Sequence, residues 1–331
     1  IFDGMNHLDK RIFDPKVNNF NHLCLELFQF QYKHNAVYQK YCSFLGITNP
    51  ETITEIAQIP YLPIDFFKQF EVKSFDQKAT KIFYSSATGK QGSSAHHVKD
   101  LGIYEQSFYT AFQNYFGQTN QTCFLGLLPS YLEREGSSLI YMVQKLMEAS
   151  SNPLSGFFMY EHETLQKRIN QLEKSGQAYI LFGVSFALLD FAEKFPTQIK
   201  IGKIIETGGM KGRKKEITRE ALFYELNQAF NTDNIFSEYG MTELMSQAYA
   251  GKNGRYNCPD WMQISVVDPN DPFTEVAVGK TGLIRIIDLA NIYSCAFILS
   301  SDLGKKHPDG SFEVLGRHDR SEMRGCSLLA G

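Results

Sequence analysis

The chain has 331 residues, a net charge of −3 and 21% charged residues. It is long enough to bury a substantial core, and it carries no basic footprint for nucleic acid. Hydrophobic residues make up 43% and aromatics 14%, an ordinary globular composition with rings to spare for packing or for lining an apolar pocket, and no apolar run approaches the roughly 20 residues of a membrane span.

Taken in chain order, Phe20, Leu23, Leu27 and Phe30 fall at helical spacing, followed by Tyr38, Tyr41 and Leu45 before Gly46. Pro60 and Pro63 bracket an extended piece from Ile59 to Phe67. Residues 101–116 form an aromatic helix, and Cys123–Leu128 reads as a buried strand. Ser137 or Ser138 caps a helix through Met147. Helix and strand then alternate. Leu165, Ile169 and Leu172 mark a helix ended by Gly176, and Tyr179–Val184 is a strand. Phe186–Phe195 is helical, Ile201–Ile205 a strand, Ile217–Phe230 a helix and Ile235–Tyr239 a strand again. This alternation predicts an α/β fold with a mostly parallel sheet. From about 261 the texture shifts to short strands at Ile264–Val267, Gly282–Ile287, Ala296–Leu299 and Phe312–Leu315. The expected organisation is an α/β core over 1–260, a small β-rich subdomain over 261–315, and a hinge-like tail over 316–331.

Four segments carry chemistry. The first is Tyr239-Gly240-Met241-Thr242-Glu243, a ring, a glycine, a hydroxyl and a carboxylate just after an apolar strand. Those groups suit base stacking, close backbone approach, phosphate contact and Mg²⁺; the bland alternative is an ordinary strand end. The second is the loop from Ser85 to Ser94, where Ser85, Ser86, Thr88 and Gly89 can wrap phosphate. It lacks Walker spacing, and a flexible surface loop is the competing reading. The third is Gly208-Gly209 at a strand end, where a planar base can lie against the backbone; a plain turn is its alternative. Lys211, Arg213, Lys214 and Lys215 follow, either steering an anion or forming a solvated face. The fourth is Asp302, able to accept both ribose hydroxyls, with Arg317 a dozen or so residues on. Asp302-Leu303-Gly304 reads equally well as a hairpin turn.

Together these segments resemble the adenylate-forming superfamily of acyl-CoA synthetases and aryl-CoA ligases. Leu128-Pro129-Ser130-Tyr131, Gly208-Gly209-Met210-Lys211-Gly212-Arg213 and Arg324-Gly325-Cys326 look closest to its LuxE-type acyl-protein synthetases. The resemblance implies a large multi-subdomain α/β domain with mixed and parallel sheets, its mobile C-terminal lid absent or truncated. It implies ATP- and Mg²⁺-dependent activation of a carboxylic, fatty acid as acyl-adenylate, then transfer to a thiol. Thr242 would touch phosphate, Glu243 hold Mg²⁺, and Tyr239, Gly240, Met241, Gly208 and Gly209 meet the adenine side. Asp302 would bind ribose and Arg317 the nucleotide. The loop departs from the usual pattern at Ala87, where relatives carry Gly.

The resemblance also points to Cys326 as an acyl-thioester carrier, its thiol pKa lowered by Arg324; an inert tail cysteine is the alternative. The acceptor is then a protein such as an acyl reductase, or CoA as in aryl-CoA ligases. A non-catalytic nucleotide- or acyl-binding partner is the rival from another class. The acyl-pocket floor is expected at Gly183 and Ser185, and one of His96 and His97 near a phosphate. The six cysteines form no CxxC pair, which favours free thiols and a cytoplasmic location.

Overall fold

The computed structural model describes residues 8–14, 19–86, 92–129, 135–208 and 217–318. Helices α1 (Leu8–Ile12), α2 (Phe20–His34) and α3 (Ala36–Phe44) open the chain. Asn35 splits what the spacing reads as one helical stretch. Its side chain accepts from the Tyr38 amide at 3.0 Å and donates to the Ser294 carbonyl at 3.1 Å, so one residue ends α2, caps α3 and ties both to a distant loop.

The extended piece expected between the prolines is shorter than its pattern. It comprises strand β1 (Leu62–Pro63), a turn and the one-turn helix α4 (Phe66–Gln69). Strands β2 (Lys81–Tyr84) and β3 (Ala95–Val98) pair antiparallel as a separate two-stranded sheet. Helix α5 (Leu101–Phe116) starts on Asp100, whose carboxylate accepts from the Gly102 amide, and ends at Gly117 with φ +85°.

Alternation then sets in as the periodicity requires. It runs β4 (Cys123–Leu127), α6 (Ser138–Ser150), β5 (Gly156–Phe157), α7 (His162–Ser175), β6 (Tyr179–Gly183), α8 (Ser185–Lys194), β7 (Lys203–Glu206), α9 (Arg219–Phe230) and β8 (Ile235–Tyr239). The chain continues with β9 (Ala248–Ala250), β10 (Tyr256–Asn257), β11 (Met262–Val267), β12 (Thr281–Asp288), β13 (Phe297–Lys306) and β14 (Phe312–Arg317).

All strands but β2 and β3 join one mixed sheet in the order β11-β12-β13-β14-β10-β9-β8-β7-β6-β4-β5, with β1 alongside β13. From β8 to β5 every pairing is parallel; from β8 to β11 every pairing is antiparallel. The parallel strands β4 and β6 are buried at every residue, as strands covered by helices on both faces must be. Between sheet and α5, the rings of Phe112, Phe124, Phe182 and Tyr249 pack together, each large ring bringing a few kcal/mol of burial, about 1.5–3 per side chain.

The late strands β11–β14 thus extend the same sheet. Strand β13 runs ten residues. Asp302-Leu303-Gly304 therefore lies inside a strand, with a register shift at Leu303/Gly304, and the hairpin-turn alternative falls away.

Candidate functional site

The two halves of the sheet meet at β8 and β9, and the Tyr239–Glu243 segment is the connection between them. Residues 240–247 reverse the chain direction and are pinned from within. The Asp288 carboxylate accepts from the Met245 amide at 2.8 Å, the Ser246 hydroxyl at 2.6 Å and the Ala290 amide at 3.2 Å. The Asn291 amide donates to the Glu243 carbonyl at 2.8 Å. A Cβ on Gly240 would fall 2.3 Å from the Glu238 carboxylate and 3.3 Å from Gln247, so a side chain there would displace the Glu238 carboxylate.

His96 is one of these struts. It is 1% exposed; Nδ1 lies 2.7 Å from the Thr242 carbonyl oxygen and Nε2 lies 3.1 Å from the Asn291 side-chain oxygen. Burial outweighs both hydrogen bonds and takes its pKa down to about 4. The ring is neutral, donating to one oxygen at a time, and it holds the Thr242–Glu243 backbone instead of approaching a phosphate as the sequence expectation had it.

Tyr239 ends β8 with its ring against Tyr256 and Phe312 and only 8% of the residue exposed. Its hydroxyl donates to Asp302 Oδ2 at 2.9 Å. Little ring face is left for a base to stack on; the contact made is with Asp302. Across β13 and β14, Asp302 pairs with Arg317, whose Nε lies 3.8 Å from Oδ1 on an 85% exposed side chain. Burial raises the Asp302 pKa, opposed by the Tyr239 hydrogen bond and the Arg317 charge.

Glu243 is 5% exposed. Burial raises its pKa, opposed by a hydrogen bond with Ser94 and by the charges of Lys68 and Arg317. Ser94 in turn closes the base of the Ser/Gly loop: its amide donates to Ser85 Oγ at 2.8 Å, and the Ser85 amide donates back to its carbonyl at 3.1 Å. Ser86 is half-buried beside this ladder.

The Gly208 end of β7 is organised by a residue the motif search passed over. Glu206, 6% exposed, accepts from Ser185 Oγ at 2.5 Å, Ser237 Oγ at 3.0 Å and the Gly208 amide at 2.6 Å. It ties together the ends of β6, β7 and β8. Gly208 takes φ +68° there, a conformation that favours glycine. Ser185 and Gly183, expected as an acyl-pocket floor, are spent on this junction. The Ser185 hydroxyl goes to Glu206, and a Cβ on Gly183 would strike Leu188 at 2.7 Å. Glu238, on the next strand, has its pKa raised to about 8 by burial and by the Glu206 charge.

Contacts run from Gly208 through Glu206 to Ser237, from Tyr239 through Asp302 to Arg317, and from Glu243 through Ser94 to Ser85, and the Arg317 charge bears on Glu243 across the last two groups. Segments more than two hundred residues apart in sequence share one rim. Met241 and Thr242 are half-buried on that rim. Thr88, Gly89, Gly209 and Cys326 lie outside the described residues. Sequence reasoning had a signal for His96, which follows the loop, and none for Asn291 or Asp288. Among the described residues no cluster of three His, Cys, Asp or Glu side chains could by itself hold a metal.

The family described as acyl-protein synthetase, LuxE, matches residues 10–330. A long-chain-fatty-acid–luciferin-component ligase of Aliivibrio fischeri is 23% identical over 334 residues, covering 92% of this chain and 86% of that protein. Among solved structures, an open conformation of 2-hydroxyisobutyryl-CoA ligase in complex with 2-HIB-AMP and CoA aligns with TM-score 0.69 and 14% identity, covering 90% of this chain and 74% of that one. ATP-bound MatB from Rhodopseudomonas palustris aligns with TM-score 0.54 and 16% identity over 74% of this chain. The chain spans 50% of the MatB chain. These structural likenesses establish the mixed α/β fold.

Proposed function

The chain belongs to the LuxE acyl-protein synthetase family, and from that premise we propose that it activates a fatty acid with ATP and passes the acyl group to a thiol. The carboxylate oxygen of the acid attacks the α-phosphorus. An acyl–phosphate bond forms, the bond to the β-phosphate oxygen breaks, and its electron pair leaves on pyrophosphate. A thiolate then attacks the acyl carbon and AMP departs. Cys326 is the proposed carrier within the chain; the final acceptor is a protein thiol such as that of an acyl reductase, with CoA the alternative. The single observation that supports this reading most is the convergence of Asp302, Glu243 and the Ser85–Ser94 ladder on one rim.

In this reading Asp302, oriented by Tyr239, accepts the ribose hydroxyls, and Arg317 lies over the sugar and α-phosphate. Adenine rests on the Gly208–Gly209 backbone and the exposed edge of Tyr239, beside Gly240 and Met241. The Thr242 hydroxyl and the loop hydroxyls of Ser85, Ser86 and Thr88, with the Gly89 amide, donate to phosphate oxygens. Such a reaction runs on positioning and charge neutralisation, so these groups need no covalent chemistry of their own. A lone carboxylate, Glu243, held by a serine among cations, fits Mg²⁺ bound mainly through substrate phosphates. When bound, the ion would neutralise phosphate charge. The five described cysteines are free, and among described residues no helix is long and apolar enough to cross a membrane; both support a cytoplasmic location.

The test is acid-dependent ATP–pyrophosphate exchange across a panel of carboxylic acids. Exchange should be greatest with fatty acids, and Glu243→Ala should lower the Mg²⁺-dependent rate about a thousandfold, several kcal/mol of lost charge stabilisation. Nucleotide binding without exchange for any acid would reject the enzymatic reading. Acyl transfer that survives Cys326→Ala and requires CoA would replace the protein-thiol route.

A further inference from the structure

The rim described above is rich in carboxylates. Glu243, Asp302 and Glu206 all lie on or just beneath it, yet the ligand proposed for it carries a triphosphate. Cations must face the phosphate end for the complex to be favourable. Among the described residues, Arg317 supplies one, on the Asp302 side of the cleft. Among the described residues, the nucleotide-site motifs bring no second cation.

Helix α4 lies beside the His96 strut under Thr242. Strand β1 pairs parallel with β13, Leu62 opposite Ile298 and Pro63 opposite Leu299, and the Ile64 amide donates to the Leu299 carbonyl at 3.0 Å. The chain is thereby delivered to the strand that carries Asp302 three residues later. Phe67, 1% exposed, then sets its ring edge-on against His96 at 5.9 Å between centroids. His96 is the strut under Thr242, and β3, which carries it, begins right after Ser94. So α4 packs directly behind the Thr242–Glu243 backbone and the base of the Ser/Gly loop. The next residue, Lys68, is 31% exposed along its side chain, and its positive charge bears on the buried Glu243.

We propose that Lys68 binds the β- and γ-phosphates of ATP and offsets the charge that develops on departing pyrophosphate. This rests on the nucleotide reading above. Lys68 is held in waiting by Asp65, its amino group donating to Oδ1 at 2.8 Å. That pair is three residues apart on a partly exposed helix turn and contributes little. A terminal phosphate group, carrying close to two negative charges over its oxygens, is a stronger partner for an ammonium group. The step needs no proton from Lys68. As the acyl oxygen bonds to the α-phosphorus and the α–β bridging bond breaks, the leaving electron pair settles on an oxygen whose charge the ammonium neutralises. The competing account is a plain surface ion pair of α4 with no ligand.

The two accounts differ in which ligands they affect. ATP and AMP affinities of the full chain should be measured by calorimetry for wild type, Lys68→Ala, Lys68→Arg and Asp65→Ala, with melting temperature as the check on folding. Lys68→Ala should weaken ATP about tenfold or more while leaving AMP within about twofold, and should slow pyrophosphate exchange. Lys68→Arg should restore most of the ATP affinity. Asp65→Ala, which releases the ammonium, should leave ATP binding equal or tighter. Equal losses for ATP and AMP, or none for either, would overturn the assignment of Lys68 while leaving the nucleotide site standing. A wild-type chain that binds neither nucleotide would overturn both.

Discussion

The two halves of the sheet treat their carboxylates differently. On the parallel side, Glu206 is saturated by two hydroxyls and an amide from three strand ends. On the antiparallel side, Asp302 holds one hydrogen bond from Tyr239 and a loose approach from an exposed Arg317. Glu243, in the connection between the halves, has a serine and two nearby cations. The first arrangement is finished and serves as scaffold. The second leaves part of its hydrogen-bonding capacity unused among the described residues, which is what a binding group needs. Site and scaffold are thus told apart by how far each acid's hydrogen-bonding capacity is used within the fold, since burial alone does not separate Glu206 from Glu243.

Three measurements break or sharpen that contrast. Glu206→Ala strands two buried hydroxyls, each worth about 1–3 kcal/mol when unpaired, and frees the Gly208 amide at the strand end. The expected result is a loss of roughly 4 kcal/mol in denaturant unfolding, with stability far more affected than in Asp302→Asn. A loss of nucleotide affinity with unchanged stability would place Glu206 in the binding machinery instead.

The next effect is one of pH. Glu238 has its pKa raised to about 8 from an ordinary carboxylate value, so the folded chain holds a proton that the unfolded chain has released. The contribution is neutral below the unfolded pKa. Stability then falls as pH rises from about 4.5 toward 8, by roughly 3 kcal/mol once its partial exposure is discounted. Melting curves across that window should slope downward in the wild type and flatten in Glu238→Gln; parallel curves would show that neither burial nor the Glu206 charge keeps Glu238 protonated.

The smallest effect belongs to Tyr239→Phe. It removes the hydroxyl that orients Asp302 and keeps the ring against Tyr256 and Phe312. Nucleotide affinity should fall by about 1 kcal/mol with little change in stability. A drop in stability with no change in affinity would make this contact part of the scaffold.

Much of this was legible in the chain itself. The strand Ile235–Tyr239 and the helix at 101–116 have the bounds their patterns give, because apolar period and flanking turn residues agree there. Of the motif residues, Tyr239 and Asp302 are hydrogen-bonded across 63 positions, and Glu243 reaches Ser85 through Ser94. What sequence could not carry was how each polar group is spent. Nothing in Phe-Ser-Glu-Tyr says that Ser237 bonds back to Glu206. Nothing in His96-His97 says that the first ring is sealed beneath Thr242, for that depends on Asn291, nearly two hundred residues away. Tyr239 looked like a stacking platform because its neighbours in sequence are nucleotide-like; its neighbours in space, Tyr256 and Phe312, occupy the ring. The α4 turn escaped because two prolines masked a four-residue helix.

The central claim is that the junction of the two half-sheets, the Ser85–Ser94 ladder and Asp302 form one nucleotide cradle. A crystal structure with AMP bound tests it most directly. The account predicts ribose hydroxyls on Asp302, the base along the Gly208 strand end, and the phosphate between Thr242 and the Ser85 loop. AMP lodged elsewhere, with Asp302 and Glu243 facing only solvent, would contradict it.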